Sequence, residues 1–169
     1  EKVTPYLVLL TAWALTLARH SGRTNLSIGI PMTNRRQEIF KDTMGCFVNS
    51  LPLTLNISDN PTLREALHRL RMGLLQVHRM QEIPYYHLVQ LIRREGIIGG
   101  DSLYQAGFTF EHPMNLHLAS LEIHPMYIHP GGAQLDLFAT FWQQPEKIIG
   151  VIKYDASRFR TSTVELIRD

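Results

Sequence analysis

Apolar and polar positions follow two periods along this chain, helical in some segments and strand-like in others. Pro5 suits a first helical turn, Thr4 stands at the N-cap position, and Ser21-Gly22 ends the helix that begins there. Leu26 to Ile30 is a short β-rich run stopped by Pro31, and the polar loop Thr33 to Thr43 leads into a mainly apolar strand, Met44 to Leu53. Asp59-Asn60-Pro61-Thr62 reads as a turn and a helix start. Leu63, Leu67, Leu70, Leu74 and Val77 then recur at helical spacing and predict one helix from Thr62 to about Arg79. Pro84 opens a further helix to about Arg94, broken by Gly96 and Gly99-Gly100. Four strands are expected next: Leu103 to Phe110, Leu121 to His129, Leu135 to Trp142 and Lys147 to Tyr154, the last two joined by a turn around Gln144-Pro145-Glu146. A short helix, Thr161 to Arg168, follows. Helices before and between strands predict an α/β layered domain with a mixed sheet.

The run from Met44 to Leu53 has an unusual content. It is read as a central strand, buried on both faces, yet it holds Gly45 early and the polar pair Asn49-Ser50 in its middle. A buried Asn must find hydrogen-bond partners or line a cavity. Gly45 is expected to serve close packing and Phe47 to sit in the core, while Asn49 is the candidate to line a cavity that holds water or a ligand.

Composition narrows the rest. With 169 residues and 44% apolar content the chain suits one compact domain. A net charge of +2, with cations scattered among acids, excludes a nucleic-acid stripe and leaves an acidic partner open. Arg64, Arg69, Arg71 and Arg79 read as a solvated helix face with local ion pairs, with an acidic partner helix as the alternative. Cys46 is the only cysteine, which rules out an intrachain disulfide and points to a reducing, cytoplasmic setting. The apolar stretch Tyr6 to Ala18 covers 13 residues. Spanning a bilayer takes roughly 20, so a buried helix is expected rather than a membrane anchor. The histidines at 112, 117, 124 and 129 lack a carboxylate or cysteine partner set, and no metal site is assigned to them. The first residue, Glu rather than Met, reads as a piece of something longer.

Six segments in order resemble the condensation domains of non-ribosomal peptide synthetases. Thr4 to Leu10 with Ala18-Arg19-His20-Ser21-Gly22 resembles that family's helix, and Gly29-Ile30-Pro31 with Arg35 its next strand and turn. Met44 to Leu53 resembles Gly-x-Phe-Val-Asn-Thr-Leu-Pro, and Gln81-Glu82-Ile83-Pro84-Tyr85 with Leu88-Val89 resembles Gln-Asp-x-Pro-Phe. Leu103-Tyr104-Gln105 and Leu135-Asp136-Leu137 fit the later strands. The sequence departs from the pattern at Thr54, where an Arg is usual, at Met80 and at Tyr86, and Gly96 to Leu103 keeps only its final Leu. An atypical or specialised member, or one that no longer condenses, is implied.

The resemblance implies a chloramphenicol-acetyltransferase-like fold in which two lobes form a V around a reaction tunnel. The family's His-His-x-x-x-Asp-Gly motif belongs to the N-terminal lobe, and none of the eight histidines here has an aspartate four residues on. Residues 1–169 are therefore expected to be the C-terminal lobe, inactive alone, contributing the tunnel wall opposite the catalytic histidine. The implied chemistry is amide formation between a donor thioester and an acceptor amine, both on phosphopantetheine arms of carrier proteins, with no cofactor bound directly. Asn49, Gly45, Phe47 and Ser50 are the expected tunnel or positioning residues. Gly29, Pro31, Arg35, Gln81, Pro84, Tyr85 and Asp136 are the expected structural ones. The region Tyr127 to Asp136 resembles the piece that crosses to the other lobe, and is expected to be mobile or domain-swapped without it. The implied partners are the N-terminal lobe, carrier proteins, and a second copy through an exposed interlobe face. A same-fold acyltransferase to an alcohol or amine, and a non-catalytic carrier-binding or scaffold module, are the alternatives.

Overall fold

The computed structural model describes residues 3–97, 102–111, 128, 131–144 and 146–169. Helix α1 (Pro5–Ser21) starts as its sequence dictates: the Thr4 hydroxyl accepts the Leu7 N–H, and Gly22 ends the helix in the left-handed conformation. Strand β1 (Asn25–Met32) runs past the expected stop at Pro31 and pairs antiparallel with β2 (Asn49–Asn56). Helix α2 (Leu63–Arg79) opens with a capping box, in which Thr62 and Glu65 satisfy each other's backbone N–H groups. Helix α3 (Tyr85–Arg94) follows Pro84 and ends at Gly96, whose φ is 68°. Then come β3 (Ala106–Glu111), β4 (Leu137–Gln143), β5 (Ile148–Tyr154) and α4 (Thr161–Arg168).

The strands form one five-stranded sheet in the order β2-β1-β3-β4-β5. The pairs β1/β3 and β3/β4 are parallel, while β1/β2 and β4/β5 are antiparallel, so the sheet is mixed as the alternation of elements predicted. Helices α1, α2 and α4 bury one face of it. Ile28, Ile30, Leu51, Leu53, Phe108 and Ala139 point into that layer, against Leu10, Trp13 and Ala14 of α1 and Leu70 and Val77 of α2. Phe108 and Leu10 are fully buried, and the Tyr6 ring meets Phe108 edge-on at 5.3 Å. Burial holds the Tyr6 phenol protonated, its pKa pushed up to about 12.

Period-2 alternation sends the neighbouring residues to the opposite, or far, face. There the strands carry small side chains roofed by aromatic rings. A Cβ at Gly29 would collide with the Tyr104 ring, and one at Gly107 with the Phe138 ring. Phe138 lies directly across from Gly107 in the β3/β4 register.

Three expectations are corrected here. The motif strand begins at Asn49, not Met44, and it is an edge strand of the described sheet, not a central one. Gly45 is not closely packed: a Cβ there would meet only Phe47 at 3.7 Å, and the position needs glycine because its φ is 140°. Phe47 is not in the core but lies in the loop before β2, its ring 5.2 Å from Phe40. The expected strand Leu121 to His129 lies outside the described residues except for Ile128, as do His112, His117, His124 and His129 and most of the Tyr127 to Asp136 crossover.

Candidate functional site

The loop between β1 and β2 is built around Arg35. Its guanidinium donates to the carbonyl oxygens of Phe40, of Thr43 at 2.8 Å and of Gly45 at 2.9 Å. It also lies over the Phe47 ring, 4.3 Å from the centroid. Residues 44–48 look like a strand by hydropathy, but carbonyls of this loop turn inward to one cation, and Ile39, Met44 and Val48 are left exposed.

Gln81 joins this loop to the helices. It is only 2% exposed, so its polar atoms need partners. Its Oε1 accepts the Asn34 N–H at 3.2 Å, where Asn34 takes a φ of 52°, and its Nε2 donates to the His78 carbonyl at 2.9 Å and faces His78 Nδ1 at 3.2 Å. Its own carbonyl accepts from Asn49 Nδ2 at 2.9 Å. Asn49 Nδ2 also donates to the Ile83 carbonyl at 2.7 Å, and Asn49 Oδ1 accepts the Tyr85 N–H at 3.2 Å. Both amide hydrogens of Asn49 are thus committed to backbone. In this structure the Asn49 side chain clamps the turn from Gln81 to Tyr85 at the start of β2.

Tyr85 extends the network. Its hydroxyl accepts the Leu103 N–H at 2.9 Å and lies 3.1 Å from Ser102 Oγ, while its ring stands 5.3 Å from that of Tyr104. Tyr104 in turn reaches the Ser50 carbonyl at 3.5 Å, and its phenol pKa is raised, chiefly by burial and also by Tyr85. Asp136 lies apart from this network, just before β4: its carboxylate accepts from Arg158 at 3.3 Å and its carbonyl from the Asp155 N–H at 3.1 Å.

A cleft of about 500 Å³ opens beside this network, at the carboxyl ends of β1 and β3. Pro31 and Thr33 from β1 and its loop, Val48 before β2, Thr109 on β3, and Phe138 and Thr140 on β4 line it, with Lys153 and the segment Gly132 to Leu135. Carboxyl ends of parallel strands are where α/β sheets present ligand sites, because the chain diverges there into loops. The structure brings Pro31 and the start of the motif strand to this cleft. Asn49 and Gln81 are not among its lining residues. Sequence reasoning missed Thr109, Phe138, Thr140 and Lys153. The glycines at 29 and 107 were the available signal, since a glycine inside a strand marks close approach of another group. Among the described residues no group of three or more His, Cys, Asp or Glu is placed to hold a metal, and no helix is long and apolar enough to cross a membrane.

Comparison with known proteins gives this geometry a family. The Condensation domain profile matches residues 1–169. Malpinin synthetase of Mortierella alpina is 28% identical over 165 residues, which is 96% of this chain and 2% of that protein. The dimodular nonribosomal peptide synthase of Bacillus subtilis (strain 168) is 26% identical over 177 residues, 100% of this chain and 7% of that protein. The chain therefore spans a small fraction of the curated relatives it matches. Among solved structures, the holo four-domain nonribosomal peptide synthetase AB3403, bound to AMP and glycine, superposes with a TM-score of 0.84 at 20% identity, covering 99% of this chain and 14% of that one. The X-domain from teicoplanin biosynthesis superposes with a TM-score of 0.77 at 22% identity, covering 98% of this chain and 39% of that one. The mixed sheet and its helices are those of the chloramphenicol-acetyltransferase-like fold. By its whole-length match, this chain belongs to the Condensation domain family of non-ribosomal peptide synthetases.

Proposed function

We propose that this chain is the C-terminal lobe of a condensation domain and supplies the tunnel wall opposite the lobe that carries the His-His-x-x-x-Asp-Gly motif. The observation that carries the reading is the cleft at the carboxyl ends of β1 and β3, bounded by the motif segment at Val48 and touched by the helix layer only at Tyr6, since α1, α2 and α4 pack on the other face. The share of the teicoplanin X-domain chain that this chain covers, 39%, agrees with one lobe of two.

In the intact domain an acceptor amine attacks the donor thioester carbonyl; a C–N bond forms, the C–S bond breaks, and the amine proton leaves as the donor arm departs as a thiol. Both substrates ride on phosphopantetheine arms of carrier proteins, so the protein's task is alignment and charge stabilisation. This lobe contributes alignment. The buried Thr140, with Thr109 and Phe138, shapes the wall, and the Arg35 loop sets its rim. Alone it is inactive, and its exposed Ile39, Met44 and Val48 belong to the face that meets the other lobe or, in isolation, a second copy. The setting is cytoplasmic, where carrier proteins are loaded.

The test is amide formation by the intact domain with its own loaded carrier proteins, read by mass spectrometry of the product. Thr109→Trp, which fills the cleft, is expected to abolish product while the domain stays folded; unchanged turnover would remove the cleft from the reaction. A second reading is a non-catalytic docking module. It is favoured by the likeness to the teicoplanin X-domain, which was solved in complex with OxyB, at a TM-score of 0.77. It predicts no amide product from any intact form.

A further inference from the structure

The floor of the far-face cleft holds a pair of threonines. Thr109 on β3 and Thr140 on β4 stand across from each other in the parallel register, and both line the cleft. Thr140 is only 3% exposed, a degree of burial at which a hydroxyl ordinarily has a partner. Its hydroxyl makes no hydrogen bond among the described residues, and neither does that of Thr109. The fully enclosed side-chain polar atoms without a partner are, among the described residues, Trp13 Nε1 and Ser27 Oγ. The Thr140 hydroxyl is not one of these closed-off atoms, so what remains open of it faces the cleft.

The surroundings of the pair decide what it can hold. The Phe138 ring lies over Gly107, where a Cβ would come within 2.5 Å of it, and this ring gives the threonines an apolar wall. Charge stands at the two ends of the floor. Lys153 on β5 is across from Phe138, and Glu111, two residues beyond Thr109, accepts the Trp142 indole N–H at 2.7 Å. Each of these rows is two residues from the threonines, roughly 7 Å along the strands. Lys153 also has an interaction of its own. The middle of the cleft therefore offers neutral hydroxyls, each able to donate one hydrogen bond and accept two, beside an aromatic ring. A group suited to it is small, uncharged and able to hydrogen-bond.

We infer that Thr140, with Thr109 beside it, is a specificity-determining residue, which selects a substrate side chain bearing an uncharged hydroxyl or carboxamide over one of equal shape without it. The inference rests on the reading of this cleft as the tunnel wall of a condensation domain, and names the class of amino-acid residue that the wall takes. Selection arises from the unpaired hydroxyl. An apolar side chain seated there shuts water out and leaves the buried hydroxyl unsatisfied, whereas a hydroxyl or amide replaces the lost hydrogen bond. Thr140 is a binding residue here and takes no part in forming the C–N bond.

The experiment measures binding of threonyl-, valyl- and aspartyl-aminopantetheine, stable amide mimics of a loaded arm, to the intact condensation domain by ligand-observed NMR. Threonine and valine are matched in shape, so their ratio isolates the hydroxyl. The threonyl probe is expected to bind about tenfold more tightly than the valyl one, a preference that Thr140→Val erases and Thr140→Ser keeps. The aspartyl probe is expected to bind no better than the valyl one; if it binds tightest, charge is what the cleft selects and the assignment to uncharged groups is overturned. The melting curve of Thr140→Val is checked, and Thr109→Val, expected to lower the same preference, decides the matter where Thr140→Val fails to fold. No binding by any probe, equal binding of the threonyl and valyl probes, or a preference that survives Thr140→Val overturns the inference and leaves the hydroxyl to water. Amide formation by the same wild-type domain, with threonine or valine on either carrier, is scored alongside. Equal product from both residues at both carriers removes the inference and leaves the condensation reading standing, while a probe preference without any product removes the condensation reading and leaves the polar site. A product preference confined to one carrier bears the inference out and identifies the substrate seated in the cleft.

Discussion

The two faces of the sheet are built on different principles. The helix face is closed by apolar packing, with Phe108, Leu10, Ile28 and Leu70 nearly or wholly buried. The far face carries rings laid over glycines and leaves a cleft, while the polar clamp of Asn49 and Gln81 lies at the β2 edge, on the side of α2. The hydrophobic driving force is non-directional, whereas a hydrogen bond constrains both distance and angle. The sheet thus keeps its apolar packing on one side and an open cleft on the other.

The contrast breaks most visibly on the helix face. Phe108→Ala is expected to cost about 3–5 kcal/mol in urea unfolding, because the residue has no exposed surface and the cavity cannot collapse against α1. Gln81→Leu comes next, at about 2–3 kcal/mol: it removes partners from the Asn34 N–H and the His78 carbonyl and is read both by unfolding and by faster hydrogen exchange at Asn34. If Gln81 served packing alone, the isosteric apolar change would be near neutral and exchange at Asn34 unchanged.

The smallest effect sharpens the comparison at the α2 end, where neither face is involved. The Glu65 carboxyl is held below its ordinary range by the Thr62 N–H and hydroxyl, and Asp59 by Arg69. A carboxyl whose folded pKa lies below its unfolded value adds stability above the unfolded pKa and loses it as pH falls through the folded one. Fraying of α2 from Leu63 is therefore expected below about pH 4, reported by amide exchange in the first helical turn, and Glu65→Gln is expected to flatten that dependence.

Much of the fold was legible because its signals are local. Thr4-Pro5, Ser21-Gly22 and Thr62-x-x-Glu65 fix helix ends through caps that need no distant partner. The order of segments also sufficed to indicate the family. What escaped was set by contacts far apart in sequence. Residues 44–48 have strand-like hydropathy, but Arg35 gathers the carbonyls of Thr43 and Gly45 and β2 starts only at Asn49. Asn49 was recognised as a polar residue in need of partners, yet nothing nearby in sequence says that those partners are the carbonyls of Gln81 and Ile83. Tyr104 over Gly29 joins residues separated by a helix pair and a loop, and pattern alone cannot show it.

The division between the faces is tested most directly at Val48, which is 57% exposed on the cleft rim. Urea unfolding and amide formation are measured side by side on Val48→Asp in the intact domain. The account predicts stability within about 0.5 kcal/mol of the parent and amide formation lower by about tenfold or more. Full activity at unchanged stability, or a loss of activity matched by a loss of stability, would contradict it.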